Sequence, residues 1–84
     1  MIKLLIHGCH GKMGRTLSQM ALSGDAFAVA AGVDKFPDRY RTPFPIYGHI
    51  GDCDDQADVV IDFSRPEALP PLVDWCRRMK KPLI

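Results

Sequence analysis

Gly8, Gly11 and Gly14, set three apart, are the residues of this chain whose type and spacing speak most directly of chemistry. They follow an apolar run over residues 2–6 and lead into a helical pattern. A strand ending in a glycine-rich turn at a helix start suits a pyrophosphate, because the turn's amides and the positive end of the helix dipole both favour an anion. Gly8 lets the chain turn sharply off the strand, Gly11 lets backbone approach phosphate, and Gly14 lets the helix pack closely. The spacing is not the common G-x-G-x-x-G, so the assignment rests on its surroundings. The acid such a site needs is Asp34, about 20 residues past Gly14 and closing a second apolar run. A carboxylate there accepts hydrogen bonds from both ribose hydroxyls, which favours NADH, and it repels a 2′-phosphate. Lys35 follows at once and supplies a cation for that phosphate, so NADPH stays open as well. A phosphate-binding loop of the G-x-x-x-x-G-K-[ST] type is excluded, since Ile6 and Met13 occupy the positions that need Gly and Ser or Thr.

Gly8, Cys9, His10, Gly11, Lys12 and Met13 are therefore the candidate cofactor contacts on the turn. Lys12 and Arg15 stand in the helix's first turn, where cations oppose the dipole and gain nothing structurally. Lys12 reads equally as a ligand contact or a solvated lysine, and Arg15 more as solvated. A strand over residues 58–63 ends at Phe63, Ser64 and Arg65. Phe63 is placed to lie against a cofactor ring, with Ser64 and Arg65 beside its polar parts. In a parallel sheet, ligands bind at the carboxyl ends of the strands, which gathers all three groups on one edge. His7 ends the first strand and reads first as a hydrogen-bonded structural histidine. Asp52, Asp54 and Asp55 lack the glycine position and terminal glutamate of a calcium loop and read as a solvated turn. Cys9, Cys53 and Cys76 form no C-x-x-C pair, so neither a disulfide framework nor a zinc site is indicated. No metal site and no catalytic residue is assigned.

The elements that must position these residues follow from periodicity. Met13, Leu17, Met20 and Ala21 share one helical face over residues 12–23, with Gly24 as a left-handed stop. Residues 26–33 form a second strand, and residues 36–45, with three prolines, a loop over the adenine edge. Residues 45–47 form a short third strand, and residues 49–56 one turn at most. After the strand at 58–63, Ser64 and Glu67 have the spacing of a capping box. Pro70 and Pro71 interrupt that helix, which restarts near Pro71 with Leu72, Trp75, Cys76 and Met79 as its apolar face. Arg77, Arg78, Lys80 and Lys81 then favour its C-terminal end. Residues 81–84 begin a further strand, so the chain is expected to be the N-terminal piece of a longer protein, ending within its fifth strand. Alternating strands and helices without hairpin signals give an α/β fold, a Rossmann-like parallel sheet with flanking helices.

Composition bounds the rest. Eighty-four residues at 46% hydrophobic and 25% charged suit one globular domain, dinucleotide-binding throughout. A formal net charge of +1 gives no electrostatic case for nucleic acid or an anionic membrane. No apolar stretch approaches the ~20 residues of a membrane span and no signal peptide precedes the first strand, so a cytoplasmic protein is expected.

Two stretches carry a family resemblance. Gly8-Cys9-His10-Gly11-Lys12-Met13-Gly14-Arg15 resembles the G-x-x-G-[RK]-M-G-[RQ] turn of the dihydrodipicolinate reductases, also called 4-hydroxy-tetrahydrodipicolinate reductases. Residues 58–68, Asp-Val-Val-Ile-Asp-Phe-Ser-Arg-Pro-Glu-Ala, resemble that family's D-V-x-I-D-F-[ST]-x-P-E stretch. The resemblance covers essentially the whole chain but only the N-terminal part of such an enzyme. It implies an NAD(P)H enzyme of lysine and diaminopimelate biosynthesis that passes hydride to a cyclic imine dicarboxylate. Residues 8–13 would then bind the dinucleotide, Asp34 the adenosine ribose and Lys35 the 2′-phosphate of NADPH, with Phe63, Ser64 and Arg65 beside the cofactor. It also implies a homotetramer, and a catalytic histidine, lysine and substrate-binding basic patch beyond Ile84, so that these 84 residues alone should be inactive. Two alternatives stay open. Another Rossmann oxidoreductase, such as an extended short-chain dehydrogenase, is disfavoured because His7 replaces its threonine and neither Tyr40 nor Tyr47 has the Y-x-x-x-K lysine. The other is a nucleotide-sensing domain without chemistry.

Overall fold

The computed structural model describes residues 1–53 and 57–84; Asp54 and Asp55 of the acidic stretch, with Gln56, lie outside the described residues. Strand β1 (Ile2–His7) leads through the glycine turn into helix α1 (Lys12–Ser23) and strand β2 (Phe27–Val33). A loop reaches the short strand β3 (Ile46–Tyr47) and a 3-10 turn at Ile50–Asp52. Strand β4 (Val59–Asp62), a second 3-10 turn at Pro66–Ala68 and helix α2 (Leu69–Met79) complete the order. Every strand pairing is parallel, and the sheet runs β3-β2-β1-β4. Residues 82–84 lie beside β4: the Val60 amide donates to the Pro82 carbonyl at 2.9 Å, and the Ile84 amide to the Val60 carbonyl at 2.9 Å. The expected α/β parallel sheet is the observed one.

The apolar run of β1 has the strand at the centre of the sheet with core on both faces. Leu4 and Ile6 pack with Cys9, Leu17 and Ala21 on the α1 side, whereas Leu5 packs with Val60, Leu72 and Trp75 on the α2 side. Helix α2 buries Leu72, Trp75 and Cys76 as its spacing predicts. Helix α1 buries only half of the face expected of it: Ala21 is buried and Leu17 packs on the core, but the two methionines are not buried. Met13 is 59% and Met20 65% exposed, and the buried positions are Gly14, Ser18 and Ala21. The cause is distance. A Cβ on Gly14 would lie 2.5 Å from the Gly8 carbonyl oxygen, so only small side chains fit where the helix meets the turn. Ser18 is affordable there because its hydroxyl donates to the Gly14 carbonyl at 2.8 Å.

Two local expectations are corrected. Gly24 is extended (φ −112°, ψ 179°), not left-handed. The left-handed residue at a helix end is instead Lys80 (φ 56°), whose amide reaches the Arg77 and Cys76 carbonyls after α2. The Ser64–Glu67 capping box does not form: Arg65 holds the cap position of the 3-10 turn, and the Ser64 hydroxyl donates to the Asp62 carboxylate. The turn begins one residue too late for Ser64 to cap it, and the Ser64 hydroxyl proton goes to a charged carboxylate, a strong charge-assisted bond. The restart expected near Pro71 is observed: one turn at Pro66–Ala68 is followed by α2 from Leu69, with Pro70 and Pro71 in its first turn where a missing N–H costs little.

One irregularity bears on the site. Leu4 of β1 pairs with Val29 of β2, but Leu5 pairs with Ala31, so Ala30 is an extra residue in β2. An extra residue reverses the inward and outward alternation beyond it. Gly32 consequently lies under Cys9, Val33 joins the α2-side core, and Asp34 emerges on the α1 side beside the glycine turn.

Candidate functional site

The turn after β1 is built around Gly8, which holds φ +82°, a conformation that side chains rarely adopt. A Cβ there would also sit 2.8 Å from the Phe63 carbonyl carbon and the Ser64 nitrogen, so Gly8 lets the turn lie against the end of β4. The Gly8 and Cys9 amides both donate to the Val33 carbonyl, at 2.7 and 3.2 Å, and the Gly11 amide donates to Gly8 at 3.2 Å. Gly11 begins α1 with no side-chain cap and no acid in the first turn. The amides of Lys12 and Met13 therefore carry no partner among the described residues, because the first turn of a helix has no carbonyls behind it. A Cβ on Gly11 would meet only the Gly8 carbonyl oxygen, at 3.4 Å, so the backbone is open on that face.

Asp34, just past β2, ties its edge to the turn. Its Oδ2 accepts the His10 amide at 3.0 Å and its Oδ1 accepts the Phe36 amide at 2.9 Å. Each carboxylate oxygen has a second lone pair, so hydroxyl donors can still be bound. Beyond it the loop expected to be irregular is fastened at several points. The buried His10 ring donates from Nε2 to the Pro37 carbonyl at 2.9 Å, and it meets the Tyr40 ring edge-on at 5.2 Å. Arg15 lies over the Tyr40 ring, 4.1 Å from its centroid, and donates to the hydroxyl at 3.3 Å. Lys35 and Arg39 flank the exposed Phe36 ring at 6.0 and 5.8 Å, the outer limit of cation–π attraction.

At the end of β4, Asp62 organises the third group. Its Oδ1 accepts the Ser64 hydroxyl and, at 2.9 Å, the Ser64 amide, and it lies 3.1 Å from His7 Nδ1. Burial pushes the Asp62 carboxyl up, but the Ser64 hydroxyl and amide and His7 more than offset this and hold it below its ordinary 3.8. His7 is thus the hydrogen-bonded strand-end histidine expected.

These pieces surround one cleft of about 530 Å³ at the carboxyl ends of the strands. His7, Gly8, His10 and Gly11 form its floor, Asp34, Lys35, Phe36 and Arg39 one wall, and Phe63, Ser64 and Arg65 another. Lys35, Arg39 and Arg65 outnumber the acids Asp34 and Glu67 along the lining, which suits an anion. Lys12 and Met13 stand outside the lining and offer their amides at the helix start. Cys9 faces the other way. Its thiol lies against Gly32, and burial, with the Asp34 charge adding to it, pushes the thiol up to about 12. Such a group is inert and structural. His49 and Glu67 line the cleft although neither is expected there, and His7 and Arg39 line it as well. His49 lies in a stretch without periodicity, and Glu67 is assigned by its spacing to a helix cap. No group of three metal-ligating side chains is present among the described residues, and no helix among them is long and apolar enough to cross a membrane.

Residues 2–84 match the family model described as dihydrodipicolinate reductase, N-terminus. Curated relatives named 4-hydroxy-tetrahydrodipicolinate reductase align over the chain. The protein of Caldanaerobacter subterraneus subsp. tengcongensis is 44% identical over 84 residues, covering all of this chain and 33% of the relative. That of Clostridium novyi is 40% identical over the same length and share, and that of Xanthomonas campestris pv. campestris 34% identical over 87 residues. The chain thus spans about a third of the length of the curated relatives it matches.

Proposed function

Because the chain belongs to the dihydrodipicolinate reductase family, matching its N-terminal part, we propose that it is the NAD(P)H-binding portion of a 4-hydroxy-tetrahydrodipicolinate reductase. The single observation that carries the site is the convergence of the glycine turn (Gly8 and Gly11), Asp34 and an excess of cations on one cleft at the strand ends, with the uncapped start of α1 following Gly11. The Lys12 and Met13 amides and the open face of Gly11 hold the pyrophosphate, helped by the helix dipole. Asp34, already oriented by two backbone amides, accepts the adenosine ribose hydroxyls on its remaining lone pairs. Lys35 meets the 2′-phosphate when NADPH is bound, which makes both NADH and NADPH usable. Phe63 lies against a ring of the cofactor, and Ser64 and Arg65 hold polar groups next to it.

The bound nicotinamide supplies the hydride, and the acceptor proposed is a cyclic imine dicarboxylate in lysine and diaminopimelate biosynthesis. The groups that bind and protonate that substrate, and the contacts of a cytoplasmic homotetramer, belong to parts of such a reductase outside these 84 residues. The decisive test is equilibrium binding of NADH and NADPH to the wild-type chain and two variants. Asp34→Ala should weaken NADH about tenfold and NADPH less, and Lys35→Ala should do the reverse, as expected for loss of one charge-assisted contact. Equal effects of both variants on both cofactors would remove the assigned roles.

A further inference from the structure

We infer that Arg15 and Tyr40 form a latch that positions the adenosine half of the cofactor, and that Arg15 acts through Tyr40 rather than by touching a phosphate. This deepens the cofactor assignment above and rests on it. Arg15 lies in the first turn of α1, where its cation opposes the helix dipole and a solvated side chain is the expectation. Its guanidinium is already committed, 4.1 Å over the Tyr40 ring with a hydrogen bond to the hydroxyl at 3.3 Å. Tyr40 in turn meets the buried His10 ring, and His10 donates to the Pro37 carbonyl. The latch therefore closes a circuit from α1, across the loop, back to the glycine turn. What lies inside that circuit is the segment carrying Lys35, Phe36 and Arg39, whose own internal bond is the Arg39 amide to the Phe36 carbonyl at 3.1 Å. These three residues form the wall of the cleft next to Asp34. Ordering them before the ligand arrives lowers the entropic cost of binding.

The inference predicts that losing either member of the pair loosens the wall, and that losing both does no more. Two measurements separate it from the cofactor assignment. The first needs no ligand: amide hydrogen exchange at Arg39 in the free protein. Arg15→Ala and Tyr40→Leu should each speed it about fivefold, the double variant no further, and Tyr40→Phe, which keeps the ring, should fall between. The second is binding of NADH, NADPH and reduced nicotinamide mononucleotide, which lacks the adenosine. The same variants should weaken both dinucleotides by about fivefold and leave the mononucleotide unchanged. If exchange is unmoved or the two substitutions add, the latch is wrong. If Arg15→Ala weakens the mononucleotide too and Tyr40→Leu does nothing, Arg15 is a phosphate ligand and the inference is overturned. If exchange responds as stated but wild type binds no dinucleotide, the latch stands as a structural device and the cofactor assignment fails.

Discussion

At the residue scale, the site is assembled by groups that satisfy each other before any ligand is present. Asp62 is the clearest case, since one carboxylate oxygen takes the Ser64 hydroxyl and amide and faces His7. A carboxyl held below its ordinary 3.8 stabilises the fold fully above that value and loses the contribution as pH falls through the folded-state pKa. Asp62→Asn should therefore cost about 1–2 kcal/mol at neutral pH, with the gap to wild type closing in strong acid. Denaturant melts at a series of pH values would check it, and a gap independent of pH would contradict the role given to the charge. Much at this scale was legible in the sequence. The sharp turn at Gly8 and Asp34 at the end of its strand were expected from the glycine spacing taken together with the strand before it and the helix after it. The partner of Ser64 was not legible, because a serine three residues before Glu67 fits a helix cap as well as it fits an aspartate side chain two residues back.

Elements carry the second lesson. The period of α2 located its buried face, because large apolar residues have nowhere else to go in a helix facing open core. The period of α1 misled, because the buried face is set by how close its start comes to the Gly8–Cys9 backbone. Methionines dominate a pattern by size, yet of the expected face only Leu17 and Ala21 turn inward, joined by Gly14 and Ser18. It follows that Met20→Lys should change stability by no more than about 0.5 kcal/mol, whereas Ala21→Asp, which buries an unpaired charge, should cost about 3 kcal/mol or more. Comparable losses from both substitutions in thermal unfolding would restore the methionine face. The extra residue Ala30 in β2 was equally beyond periodicity, since a run of small apolar residues shows no alternation to slip. Yet it decides on which face Asp34 emerges, and so whether the acid meets the glycine turn at all.

For the whole molecule, alternation of strand and helix without hairpin signals was enough to expect a parallel sheet with three strand ends on one edge, whereas the order β3-β2-β1-β4 was not read from it. The Cα radius of gyration of 11.5 Å is close to the roughly 12 Å of a compact chain of this size. Parallel pairing brings Gly8, Asp34 and Ser64, far apart along the chain, to a common cleft. The exact reach of the 36–45 loop was not legible, because its order comes from Arg15, His10 and Tyr40 rather than from any local pattern. The central claim is that this cleft binds a nicotinamide dinucleotide, and an NMR titration of the 84-residue chain with NADH and then NADPH tests it most directly. The account predicts dispersed amide signals with shifts concentrated at residues 8–13, Asp34 and Lys35, and Ser64. Dispersed signals that neither dinucleotide moves would contradict it.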